Sequence, residues 1–169
     1  MTRRRALVVL LALGLAVVGP RAPWSEAPRA QPQRAAISRS GVLGGADYLI
    51  EVPANWRGGL VVFAHGIQRG PGPGAVGPPP IAGHIVDEGH AWIASGYRAR
   101  EYQPHLFIED LVALRDLFLK EIGQPRWTII YGQSMGGHIV VASLELRPGL
   151  YQGGWRNAAS STASALPTT

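Results

Sequence analysis

At 169 residues the chain has room for one domain. Its hydrophobic content of 46% separates it from disordered chains, and the absence of cysteine excludes disulfide scaffolds, thiolate zinc sites and cysteine nucleophiles. The formal charge of +5 is gathered at the start, where Arg3, Arg4, Arg5, Arg21, Arg29, Arg34 and Arg39 face a single acid, Glu26, so the rest is near neutral and no nucleic-acid groove is expected.

Met1 to Arg5 is a positively charged start, and Ala6 to Val18 is an unbroken apolar run. The run falls short of the ~20 residues that a spanning helix needs, so the pattern reads as a secretory signal peptide over residues 1–27. Small residues at Ser25 and Ala27 mark a cleavage position, and Thr2-Arg3-Arg4-Arg5 partly resembles a twin-arginine export signal. The alternative is an uncleaved membrane anchor, the one route by which this chain would touch a membrane. Either reading places the domain outside the cytoplasm, in the periplasm or the medium. Residues 28–40, rich in Pro, Arg and Ala, read as a linker.

The folded part is expected over residues 41–152. Tyr48 to Val52 reads as a short strand, followed by a turn over Pro53 to Gly59. Leu60 to Ala64 is a continuous apolar run between turn residues, which suits a strand buried on both faces. Gln68 to Gly83, with five Pro and five Gly, is a loop, and Ile81 to Glu88 a short helix. His90 to Ser95 is a second buried strand. Phe107, Leu111, Leu114, Phe118 and Ile122 recur at helical spacing, so His105 to Ile122 is an amphipathic helix ended by Gly123 and Pro125. Trp127 to Tyr131 is a third buried strand, and His138 to Leu146 a helix stopped by Pro148 and Gly149. Buried strands alternating with helices predict an α/β fold with a mostly parallel sheet flanked by helices.

Gly132-Gln133-Ser134-Met135-Gly136 is a G-x-S-x-G pattern lying between the last strand and the last helix. A turn that tight strains its central residue, and only small residues two positions away on each side, here Gly132 and Gly136, let it close. The Ser134 hydroxyl is then raised at a helix N-terminus, where developing negative charge is favoured. The plain structural alternative is a Gly-rich turn with a helix-capping serine. His65-Gly66-Ile67 follows the Leu60–Ala64 strand, where a serine hydrolase takes its second oxyanion donor. The Ile67 N–H fits that role, the Met135 N–H the first, with Gly66 turning the chain and His65 orienting the loop through side-chain hydrogen bonds.

With these stretches the sequence resembles the α/β-hydrolase superfamily, as the N-terminal half of a secreted bacterial member, from about Tyr48 to Tyr151. The resemblance implies Ser134 as nucleophile, Met135 and Ile67 as backbone donors to the oxyanion, and an ester or amide as small-molecule substrate. No cofactor or metal is implied.

In this fold the acid and the histidine of the triad follow the serine. Only 35 residues follow Ser134, and their titratable candidates, His138 and Glu145, lie on the helix that begins at the serine. Neither is expected to complete a triad, so the triad acid and histidine are absent from this chain. C-terminal strands are expected to be missing, which leaves a partial α/β-hydrolase fold. Residues 153–169 are low in apolar residues and read as an aberrant, disordered tail. Back-translated with GC-rich codons, Gly154 to Ala165 becomes in another frame an apolar, strand-like segment ending in Gly. A truncation or frameshift near Tyr151 to Gly154 is therefore expected. The alternatives to a serine hydrolase are an exported non-catalytic binding module and an unstable truncated product.

Overall fold

The computed structural model describes residues 35–70 and 72–157. The expected signal peptide, residues 28–34 of the expected linker and residues 158–169 of the expected tail lie outside the described residues.

The element order is β1 (Ala35–Leu43), β2 (Ala46–Pro53), β3 (Gly59–Ala64), α1 (Ala82–Asp87), β4 (Ala91–Ser95), α2 (Pro104–Glu121), β5 (Trp127–Gln133), α3 (Gly136–Leu146) and β6 (Gly153–Asn157). One six-stranded sheet runs in the order β1-β2-β4-β3-β5-β6. The strands from β4 to β6 are parallel, while β1 and β2 add antiparallel pairings at one side. The three apolar runs predicted as buried strands are β3, β4 and β5, adjacent at the centre of the sheet. Every residue of β3 and β4 is buried, as expected for strands covered on both faces.

The two faces are covered unequally. One carries the larger core, in which Phe107, Ile108, Leu111, Leu114 and Phe118 of α2 and Ile139 and Val140 of α3 lie against Ile50, Leu60, Val62 and Ile93. Each fully buried aliphatic or aromatic side chain of this kind contributes about 1.5–3 kcal/mol. The other face holds Val61, Phe63, Trp92, Ala94 and Tyr131 under the short helix α1, which supplies Ile85. Beside α1 an open groove of ≈ 320 Å³ remains, floored by Val61, Ile129 and Tyr131 and flanked by Trp127 and Trp155.

Two expected boundaries are corrected. Ala35 to Ser40, placed in the linker, belong to β1, which pairs with β2 from Leu43↔Ala46 outward. The connection is Gly44-Gly45, both at positive φ (59° and 88°), the backbone that a two-residue hairpin requires and glycine supplies without strain. Ile37 and Leu43 pack against the core, and Arg39 makes an ion pair with Glu121 of α2. The second correction concerns the tail, since Gly153 to Asn157 form β6, parallel to β5. No apolar pattern announces this strand because its cohesion is backbone pairing and close approach. A Cβ on Gly154 would stand 2.6 Å from Val140 Cγ1 and 3.0 Å from Leu144 Cδ1, and the Trp155 ring lies 5.2 Å from that of Tyr131.

Asp110 is a buried acid on the apolar side of α2. Its carboxylate accepts the Arg98 backbone N–H at 2.8 Å and the Arg98 Nε–H at 2.6 Å, and Arg98 Nη2 lies 2.5 Å away. Removing the carboxylate leaves the partly buried Arg98 donors unmatched. Asp110→Ala should therefore lower the unfolding free energy by about 1–3 kcal/mol, read from the urea midpoint. The open groove beside α1 should bind 8-anilinonaphthalene-1-sulfonate at neutral pH, where the rest of the core excludes it. Trp155→Ser should reduce that fluorescence; dye binding unchanged by the substitution would place the exposed apolar surface elsewhere.

Candidate active site

β5 ends at Gln133 and α3 begins at Gly136, so the chain reverses from strand to helix over two residues. Ser134, between them, has φ of 54°, and only Tyr97 among the other described non-glycine residues shares a positive φ. The turn is packed backbone against backbone. A Cβ on Gly132 would strike the Gly136 carbonyl, and a Cβ on Gly136 would strike the Ala64 carbonyl at the end of β3. Glycine at both positions is thus a steric requirement of this approach, as the spacing of the motif predicted. The turn is closed by hydrogen bonds from Gly137 N–H to the Ser134 carbonyl (2.8 Å) and from Ser134 N–H to the Asn157 carbonyl of β6 (3.0 Å).

The His65–Ile67 loop leaves β3 directly against this turn. A Cβ on Gly66 would stand 3.4 Å from Ser134 Cβ and 3.9 Å from its Oγ. Neither the Ile67 N–H nor the Met135 N–H has an acceptor within the protein among the described residues. Ser134 is exposed, Met135 half-buried, and Ile67 50% exposed. His65 is half-buried, with Nδ1 2.6 Å from the Gly66 carbonyl oxygen and its ring 4.2 Å from that of Tyr97. Burial lowers the His65 pKa below the ordinary 6.5, and bonding to the Gly66 carbonyl offsets this in part.

A cleft of ≈ 400 Å³ opens in front of Ser134, lined also by Gly137, His138, Arg156 and Asn157. His138 is exposed on the first turn of α3, its ring edge-on to Tyr102 at 6.3 Å. Among the described residues the imidazole hydrogen-bonded within the protein is that of His65, so none is joined to Ser134 Oγ. Glu145 lies more than two turns along α3. The described residues contain no group of three or more side chains suited to hold a metal ion.

Sequence reasoning missed four residues here. Arg156 and Asn157 were assigned to the tail and instead bring β6 to the rim of the cleft. Tyr97 carried no periodic signal, because its importance lies in a backbone angle. Asp110 carried a faint one, an acid inside the apolar stripe of Phe107, Leu111 and Leu114.

Comparison with solved structures follows this geometry closely. The chain superposes on the acylaminoacyl peptidase of Pyrococcus horikoshii with a TM-score of 0.55 at 15% identity, over 72% of this chain and 22% of that one. It superposes on a dienelactone hydrolase from Anabaena variabilis with a TM-score of 0.55 at 18% identity, over 75% of this chain and 63% of that one. The fold is that of the α/β-hydrolases. The chain spans less than two thirds of the length of either structure. A post-proline cleaving enzyme from Rickettsia typhi aligns in the same way, with a TM-score of 0.53 at 15% identity, over 72% of this chain and 21% of that one. No protein-family model and no curated protein sequence matches the chain.

The turn and the loop packed against it each generate a prediction. Gly136→Ala should cost about 1–3 kcal/mol or more of stability, because the added methyl meets immobile backbone and not a side chain that can rotate away; chemical denaturation measures it. His65 generates a pH dependence. A histidine with a lowered folded pKa favours the neutral form in the folded state, so its contribution is intact above pH 6.5 and is lost as pH falls through the folded value. The urea midpoint should therefore drop between pH 7.5 and pH 5, and His65→Gln should flatten part of that drop.

Proposed function

We propose that this chain carries the nucleophile half of a serine hydrolase acting on ester or amide bonds through an acyl-enzyme. The observation that carries the reading is Ser134 at φ 54° in a strand-to-helix turn with the Gly66–Ile67 loop packed against it. In this reading Ser134 Oγ attacks the substrate carbonyl carbon, forming the Oγ–C bond while the C=O electron pair moves onto oxygen. The free N–H groups of Met135 and Ile67 stabilise that oxyanion. Collapse expels the alcohol or amine, and water then attacks the acyl-enzyme and releases the acid. The names of the structurally similar proteins cover a peptidase, a post-proline cleaving enzyme and a dienelactone hydrolase, so they support hydrolysis as the class and leave the bond type open.

The hydroxyl proton must go to a base. No imidazole is hydrogen-bonded to Ser134 among the described residues, so we place the triad histidine and its acid in a segment encoded downstream, in another reading frame entered near Tyr151 to Gly154. β6 is compatible with this, because from Gly154 to Asn157 its side chains are exposed and the pairing with β5 is made by backbone. Export through the leader is part of the same proposal. The missing base also favours a second reading of the chain as it stands, an exported binding module on a hydrolase scaffold.

Turnover of p-nitrophenyl acetate discriminates the readings. The 169-residue chain should be a poor catalyst, little changed by Ser134→Ala, because its hydroxyl is almost wholly protonated at neutral pH. A protein expressed from the restored frame should turn the ester over, and Ser134→Ala should remove that activity. A downstream sequence with no open frame encoding an acid and a histidine would refute the frameshift. Robust turnover by the chain as written, abolished by Ser134→Ala, would place the base among its own histidines, with His138 and His65 the first to substitute.

A further inference from the structure

We propose that Tyr97 is the positioning residue of the loop that carries Ile67, holding that loop against Ser134 from both of its ends. The inference rests on the reading of Ser134 and Ile67 given above.

Tyr97 is 1% exposed, and its φ of 62° puts a bulky residue in the left-handed region. That conformation costs about 1 kcal/mol or more and persists only where the surroundings enforce it. The surroundings here are the two ends of the Gly66–Gly74 segment. At the first end the Tyr97 ring lies 4.2 Å from the His65 ring, with Phe107 stacked on its other side at 4.2 Å and an interplanar angle of 16°. At the second end the Tyr97 carbonyl accepts the Gly74 N–H at 3.0 Å. Gly74 and Gly96 approach so closely there that a Cβ on either would strike the other's carbonyl.

The residue is fixed in turn by its neighbours in sequence. Its N–H donates to Ser95 Oγ at 3.1 Å, and the next N–H, of Arg98, donates to the buried Asp110 carboxylate. The loop between the anchors is closed internally, with Gln68 Nε2 donating to the Ala75 carbonyl and Gln68 Oε1 accepting the Ala75 N–H, each at 2.7 Å. Arg100 adds bonds to the Pro73 and Arg69 carbonyls. Both ends of the loop thus meet one strained aromatic residue, with Ile67 two residues beyond the His65 anchor. Without the ring, His65 loses its stacking partner, and the Ile67 N–H loses the fixed approach to Ser134 that oxyanion stabilisation demands.

Two readouts on the full chain test this, the His65 imidazole titration and the Gly66 and Ile67 amide signals, both by NMR. Tyr97→Gly relieves the backbone strain while removing the ring, and Tyr97→Leu keeps the volume filled while removing the stack. Both should broaden or shift the two amides, and Tyr97→Gly, which opens the space beside His65, should also raise its titration point towards 6.5. Tyr97→Phe should match the parent in both. Amide signals unchanged in either variant, or a His65 titration unchanged in Tyr97→Gly, would overturn the proposal, as would a Tyr97→Phe variant that behaves like them. These signals report on the loop alone, and serine-dependent turnover of p-nitrophenyl acetate by the restored-frame protein tests the reading of Ser134 separately.

Discussion

The structure depends on a place where three backbones touch. The carbonyl ends of β3 and β5 and the first turn of α3 approach so closely at Ala64, Gly132 and Gly136 that no Cβ fits between them. This contact sets the angle at which α3 leaves the sheet and brings the loop after β3 alongside the loop after β5. Parallel pairing of β3 with β5 keeps the two strand ends level, Ala64 opposite Gly132. Ser134 and the His65–Ile67 loop meet because of that register. A shift of one residue in either strand would move the loop out of reach and turn each strand's side chains to the opposite face.

The sheet also shows how much of the surrounding architecture this part of the fold supplies for itself. α2 and α3 cover one face with a continuous apolar core, while among the described residues the other face has a single helix of six residues. The exposed side of that second face runs towards β6, where Trp155 is 54% exposed beside Tyr131. Backbone pairing holds β6 in place with little help from its side chains. Its contribution to the site follows from this, since the Asn157 carbonyl receives the Ser134 N–H and so fixes the strained turn from the open side.

The central sheet and both long helices were legible in the sequence because each has a pattern stronger than its context. β3, β4 and β5 are apolar runs between turn residues, and α2 shows its buried face at intervals of three and four. The elbow was legible because its glycines are steric necessities at fixed spacing. β1 reads as linker in the sequence because Pro and Arg dominate the composition just before it. β6 was taken for tail because a strand made by backbone pairing over two glycines presents no apolar alternation. Tyr97 was beyond reach, and Asp110 only faintly marked, for a third reason. Each acts through a partner distant in sequence, Tyr97 through His65 and Gly74, Asp110 through Arg98, and no local pattern marks such a pair.

The two strained non-glycine residues lie on either side of one loop. Ser134 is held at positive φ by the packing of β3, β5 and α3, and Tyr97 by Ser95, Asp110 and Gly74. Each strain is of order 1–3 kcal/mol, small against the burial that secures the central strands and α2. Strain of this kind survives only where the elements around it are rigid: Tyr97 follows the fully buried β4, and Ser134 follows β5, which is paired on both sides. The His65–Ile67 loop, itself without regular structure, borrows its rigidity from them. Stability and site geometry are therefore coupled in this fold, and a change that loosens the packing of β3, β4 or β5 reaches Ile67 before it unfolds the sheet.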